Sequence, residues 1–175
     1  MSFDLKLNAI NKVSFLMLVT ALILVSCNKS SDDITVGNKV GNLAPAFSLQ
    51  NVNGDTVSNS DFNGKYVLVE FCASWCGYCK AEFPELNEIY SDYKDKGFEI
   101  ISLSIDENRE PWLNMIEEHN IEYVTVNEPL GFNSPVVKDY GVLSIPRMFL
   151  LNEKGEIILS TTKASAVREA ISKRL

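Results

Sequence analysis

Apolar and polar positions along this 175-residue chain fall into blocks whose period changes from one block to the next. Tyr66, Val67, Leu68, Val69, Glu70 and Phe71 form a β-branched and aromatic run that predicts a strand. From Cys79 onward the apolar residues Phe83, Leu86, Ile89, Tyr90 and Tyr93 recur at helical spacing. Gly97 punctuates. Phe98 to Ile105 then alternates apolar with polar before Asp106, which predicts a strand with a loop at its end. Pro111 opens the next predicted helix, whose apolar face is Trp112, Met115 and Ile116. Ile121 to Val126 reads as an added strand or an extended segment. Ser134 and Pro135 look like an N-cap with proline at the first helical position, leading through Val137 to Tyr140 and ending at Gly141. Met148 to Leu151 and Glu156 to Ser160 predict strands around a turn at Asn152-Glu153-Lys154-Gly155, and Ala164 to Leu175 a closing helix. Near the front, Phe47-Ser48-Leu49 and Asp55-Thr56-Val57 flank Asn53-Gly54, a hairpin signal. The elements run βαβ and finish ββα, with no internal repeat.

The first residues follow a different pattern. Lys6 and Lys12 precede an apolar run from Val13 to Val25, broken only by Ser14 and Thr20, and then come Ser26 and Cys27. As a helix this run would span about 20 Å, short of the ~30 Å hydrocarbon core, so it predicts a secretory signal rather than a permanent membrane span. Leu24-Val25-Ser26-Cys27 resembles the bacterial lipobox, in which the cysteine is lipidated and becomes the first residue of the mature chain. The expected organisation is a lipoprotein signal peptide over 1–26, a flexible tether over 27–40 rich in small and polar residues, and a single domain over 41–175. This places the mature protein on a lipid anchor in the bacterial cell envelope, facing the periplasm. The outer membrane is favoured, and Asp32 and Asp33 resemble a surface-export signal of some Gram-negative lipoproteins.

Charge excludes one class of partner. The chain carries −7, and removing Lys6, Lys12 and Asp4 gives −7 − 2 + 1 = −8, so nucleic acid is not an expected partner. Cysteine usage points to the chemistry. Cys76 and Cys79 form a Cys-x-x-Cys pair where the strand gives way to the helix. At a helix N-terminus, unpaired backbone N–H groups and the positive end of the dipole favour a thiolate. A second thiol three residues on can donate a hydrogen bond to it. Outside the cytosol such a pair reads as redox machinery rather than half a zinc site. No second Cys-x-x-Cys or histidine pair completes a tetrahedral site, so no metal is expected. His119, the one histidine, follows Glu117 and Glu118 and reads as a solvated helix-end residue.

Five segments in order carry a resemblance over Gly41 to Leu175: Ala44-Pro45-Ala46-Phe47-Ser48-Leu49; Gly64-Lys65-Tyr66-Val67-Leu68-Val69; Ala73-Ser74-Trp75-Cys76-Gly77-Tyr78-Cys79; Glu82-Phe83-Pro84; and Tyr140-Gly141-Val142 with Ile145-Pro146. Together they resemble the thioredoxin-like superfamily, and within it the TlpA/ResA-like thiol-disulfide oxidoreductases. The resemblance implies an α/β thioredoxin-like fold, a central mixed sheet flanked by helices with an N-terminal β-hairpin extension. It implies Cys76 as the attacking cysteine and Cys79 as the buried resolving one. Glu70, six residues before Cys76, stands where the family uses a buried carboxylate to move the proton of the resolving thiol. A carboxylate in an apolar strand has a raised pKa, which suits a base near neutral pH; an outward-facing Glu70 on an edge strand is the alternative. Ile145-Pro146 aligns with the family's cis-proline, which leaves the Ile145 backbone free to pair with a substrate strand. Trp75, Gly77, Tyr78, Ile145, Pro146 and Arg147 form the implied substrate-binding set. Pro84 would kink the active-site helix or mark its boundary. The implied function is a membrane-anchored exchange of the Cys76/Cys79 dithiol with cysteines of exported proteins, as reductant. Apocytochrome c is one candidate client, a membrane thiol-disulfide protein would donate the electrons, and no cofactor is expected.

Departures from the family pattern leave other readings open. Tyr78 replaces the proline most common in the motif, and Gly-Tyr is also seen in periplasmic disulfide isomerases, so an isomerase or oxidase direction remains. Arg147 stands where threonine is usual and either lends the thiols a cation or is a solvated surface charge. Cys72 replaces a common tryptophan and, sharing parity with Glu70, reads as inert buried packing. Cys-x3-Cys-x2-Cys over Cys72, Cys76 and Cys79 also matches radical-SAM iron–sulfur enzymes, but the chain is too small for their barrel and its compartment too oxidising. A peroxiredoxin-like reading fits the fold and lacks the required threonine, since Ala73 and Val69 stand three residues before Cys76 and Cys72. A non-catalytic binding lipoprotein with a static disulfide is the remaining alternative.

Overall fold

The computed structural model describes residues 35–175; the signal run and Cys27 lie outside the described residues. Among the described residues the strands are β1 (Ser48–Asn51), β2 (Thr56–Ser58), β3 (Tyr66–Cys72), β4 (Phe98–Ser104), β5 (Val124–Asn127), β6 (Arg147–Leu151) and β7 (Ile157–Thr161). They form one mixed sheet in the order β2-β1-β5-β4-β3-β6-β7. β3, β4 and β5 are mutually parallel, and the pairs β1–β2, β1–β5, β3–β6 and β6–β7 are antiparallel. The helices are α1 (Gly77–Tyr93), α2 (Arg109–Glu118), α3 (Pro135–Asp139) and α4 (Ala164–Ser172).

β3 and β4 occupy the centre, where helices cover both faces, and this explains a departure from the expected pattern. The alternation along Phe98 to Ser104 predicts one polar face, yet all seven residues of β4 are buried. Its polar residues are instead satisfied within the core: Glu99 meets Lys65 at 3.8 Å, the Ser102 hydroxyl meets Cys72 Sγ at 3.1 Å, and the Ser104 hydroxyl donates to Asp106 at 2.7 Å. A two-sided strand of this kind is what parallel sheets require. On one face Phe71, Tyr140 and Phe149 stack edge to ring within 5.1–6.1 Å, and the Tyr140 hydroxyl donates to the Pro45 carbonyl, tying down the segment that leads into the hairpin.

The other face carries α1, which runs through Pro84 without ending there. α4 docks on it through Glu82, whose carboxylate accepts from the Ala164 N–H at 2.7 Å and the Lys163 ammonium at 2.9 Å. Arg168 reaches Glu85, Glu88 and Asp92 of α1 at 2.9–3.2 Å.

Several element ends differ from the expectations: β4 stops at Ser104, β6 starts at Arg147 and β7 runs Ile157–Thr161. α2 begins at Arg109 rather than Pro111, because proline fits any of the first-turn positions whose N–H has no helical partner. β5 is the added strand, but starts only at Val124. α4 ends at Ser172 rather than Leu175. Residues assigned to the end of the tether are bonded to the domain: the Gly37 N–H donates to the Leu43 carbonyl at 3.0 Å, and the Leu43 N–H donates to the Thr35 carbonyl at 3.1 Å. His119 caps α2 half-buried rather than solvated, its ring 5.1 Å from that of Phe83.

Candidate active site

Cys76 is the N-cap of α1, with extended backbone, and its sulfur accepts from the Cys79 N–H at 3.1 Å. The helix therefore offers that sulfur both a free amide and the positive end of its dipole. Cys76 and Cys79 are joined as a disulfide with Cα atoms 5.3 Å apart. Cys76 is 6% exposed and Cys79 fully buried, so a reagent arriving from solvent meets Cys76 first. Its chain neighbours are exposed aromatic residues: Trp75 is 61% exposed and Tyr78 80%. Gly77 is also exposed, and a side chain there would meet no neighbour.

Beneath the helix lies Glu70. It sits in a central strand, paired with Ser102 on β4 and Met148 on β6, which rules out the edge-strand alternative. It is fully buried, and neither carboxyl oxygen has a hydrogen-bond partner. Burial pushes its pKa up to about 8; the Ser102 hydroxyl works against this, and the negative charge of Glu82 on α1 adds to it. The same buried pocket holds Tyr123, whose hydroxyl is also unpartnered and whose pKa is raised by burial and then by Glu70. Cys72 is a free thiol with no exposure, and burial, then Glu70, pushes its pKa well up. It is a packed thiol held by Ser102 rather than a nucleophile.

The Ile145–Pro146 peptide is cis, with Pro146 buried and Ile145 half-buried beside the exposed Leu143. Arg147 is the first residue of β6 and its side chain is engaged away from the thiols: Nη2 donates to the Ser160 hydroxyl at 2.6 Å, and the guanidinium lies 5.4 Å from the Phe149 ring. The contact with Ser160 ties β6 to β7.

One residue of the site is absent from the expectations. The buried Asp106, just past β4, accepts from the Ser74 N–H at 2.8 Å and the Ser74 hydroxyl at 2.7 Å, and so clamps the loop that delivers Trp75 and Cys76. Asn127 Nδ2 donates to the Asp106 carbonyl at 2.9 Å, securing the clamp from β5. Among the described residues no cluster of acidic, histidine or cysteine side chains could hold a metal ion.

A redox cysteine pair capping a helix, one sulfur nearer the surface and its partner sealed, beside a central strand that carries a buried carboxyl group, is the working part of a thiol-disulfide oxidoreductase on the thioredoxin-like fold. The chain belongs to the AhpC/TSA family, whose model matches residues 40–160. Two relatives are named thiol-disulfide oxidoreductase ResA. The protein from Bacillus thuringiensis subsp. konkukian is 33% identical over 120 residues, 69% of this chain and 68% of that protein. The one from Oceanobacillus iheyensis is 33% identical over 147 residues, covering 81% and 74%. Among solved structures, the thioredoxin domain of a thiol-disulfide oxidoreductase from Bacteroides vulgatus has a TM-score of 0.74 and 32% identity over 77% of this chain and 96% of that one. A putative thiol:disulfide interchange protein DsbE from Chlorobium tepidum gives 0.69 and 29% over 77% and 94%.

Proposed function

We propose that this oxidoreductase is a lipid-anchored reductant of exported proteins, held in the cell envelope by Cys27 and facing the periplasm. The reading rests on the buried Glu70 under α1. In the reductive direction the Cys76 thiolate attacks a client disulfide, forming a mixed disulfide and releasing one client thiolate. Cys79 then gives its proton to the Glu70 carboxylate and attacks Cys76 Sγ, which frees the second client thiol and leaves the Cys76–Cys79 disulfide. Whenever the Cys76–Cys79 disulfide forms, in either direction of exchange, Cys79 must lose a proton in a water-poor core, and a carboxyl group titrating near 8 is matched to that task. A membrane thiol-disulfide protein would restore the dithiol with two electrons, and apocytochrome c is one client consistent with this chemistry.

Insulin reduction with dithiothreitol, wild type against Cys76→Ser, tests the catalysis: the wild type should accelerate precipitation, and equal rates would leave only a static disulfide. Direction is tested by equilibrating the Cys76/Cys79 couple with glutathione buffers. A couple more reducing than glutathione supports the reductant reading, and a more oxidising one overturns it.

A further inference from the structure

A cleft of about 460 Å³ opens beside the disulfide, walled by Trp75 and Phe132, whose ring centroids are 6.4 Å apart, and floored by Ile105 and Pro111. Phe132 is 42% exposed, and neighbouring Leu130 is also open to solvent. Aromatic rings are seldom left facing water together unless something covers them, and here one of the two precedes the attacking cysteine in the chain. The cleft therefore shares Trp75 with the exposed aromatic residues that neighbour Cys76 in the chain. Its lining has one sign of charge. Glu107 lines it in the open and no lysine or arginine contributes; Arg109, on the adjoining first turn of α2, is engaged with the Val52 carbonyl and the Trp112 ring. Asp106, also in the wall, has its carboxylate occupied by Ser74 and Ser104, so Glu107 is the carboxylate left to meet a ligand there.

We propose that this cleft is a client-specificity site, taking a bulky apolar side chain between Trp75 and Phe132 and a lysine or arginine against Glu107, both from an extended segment within a few residues of the client's cysteine. The proposal rests on the reading that Cys76 attacks polypeptide clients. Two residues of extended chain span about 7 Å, so a side chain near the reacting cysteine reaches the cleft without unfolding anything in the enzyme. The charge of the chain, −7, favours the same basic clients at longer range.

The test uses short peptides in which a single cysteine is held as a mixed disulfide with thionitrobenzoate, flanked by Phe and Lys, by Phe and Glu, or by alanines. Attack of reduced Cys76 on the peptide sulfur releases one coloured thionitrobenzoate, and Cys79 then frees the peptide thiol. The Phe/Lys peptide should react about tenfold faster than the alanine peptide, the scale of one well-buried aromatic contact, with Phe/Glu between or below them. Phe132→Ala should remove the Phe preference, and Glu107→Gln the Lys-over-Glu preference, each read as a ratio between peptides. Equal rates for all three peptides, or preferences that survive both variants, overturn the cleft and leave dithiol exchange standing. Failure of every peptide to react overturns the polypeptide-client reading itself, and the cleft with it.

Discussion

Glu70 carries a carboxyl group fully buried into the sheet, and that burial sets a pH dependence. In the unfolded chain it ionises near 4.5, whereas in the folded protein it holds its proton to about 8. Between those values the folded state binds the extra proton, so stability falls as pH rises, by up to about 1.4 kcal/mol per pH unit, and the dependence ends above 8 and below 4.5. Chemical denaturation of the oxidised protein from pH 5 to 8 should show that decline, and Glu70→Gln should flatten it while slowing exchange near neutral pH; matching curves for both proteins would make Glu70 a spectator. For the cysteines, iodoacetamide should label Cys76 first in the reduced protein, since Cys79 is sealed and the Cys72 thiol is held protonated by burial. Peptide mapping after brief alkylation checks this, and prior labelling of Cys79 or Cys72 would reverse the assignment. Both cysteines of the motif are legible in sequence because their short spacing at a strand-to-helix junction carries their meaning, and Glu70 is legible through the family resemblance. Asp106 is not: in sequence it is only a loop residue after a strand, and its role depends on Ser74, 32 residues away.

At the scale of elements, Glu82 joins α1 to the first turn of α4 and charges the space above Glu70. Glu82→Ala leaves the Ala164 N–H without its acceptor in a buried position, an expected loss of about 1–3 kcal/mol in denaturant unfolding. Because the Glu82 charge helps hold Glu70 protonated, the same substitution should move the exchange pH profile to lower pH. A stability loss with an unmoved profile would confine Glu82 to docking the helix. The helices and hairpin are legible from period and turn residues; the hairpin's Gly54 adopts φ +87°, the left-handed conformation its turn demands. That β4 is buried on both faces is not legible, because Lys65 and Cys72, which meet Glu99 and Ser102, come from β3 and the turn before it. The Arg147 contact with Ser160 is not legible for the same reason, since it is the β6–β7 pairing that brings Ser160 within reach.

For the whole molecule, the proposed anchor determines where the dithiol can work. Cys27 precedes Thr35, the first described residue, by 35 − 27 = 8 residues, and eight residues of fully extended chain span at most about 29 Å. From Val36 on the chain is already fastened to the sheet by its bridge to Leu43, so no further length can be paid out there. A lipid on Cys27 would thus confine Cys76 to clients and electron donors close to the membrane surface. Burying the acyl chains contributes about 0.8 kcal/mol per methylene, which over several chains makes an effectively permanent anchor. The wild-type protein should therefore pellet with membranes, resist extraction by high salt and be released by detergent, whereas Cys27→Ala should appear in the soluble fraction with unchanged insulin-reducing activity. Salt extraction separates a lipid from a charge-held association, which an acidic chain of −7 would in any case make weak against anionic lipid. Recovery of Cys27→Ala in the membrane fraction at wild-type levels would remove the lipoprotein reading and leave the apolar run of residues 13–25 as the membrane attachment.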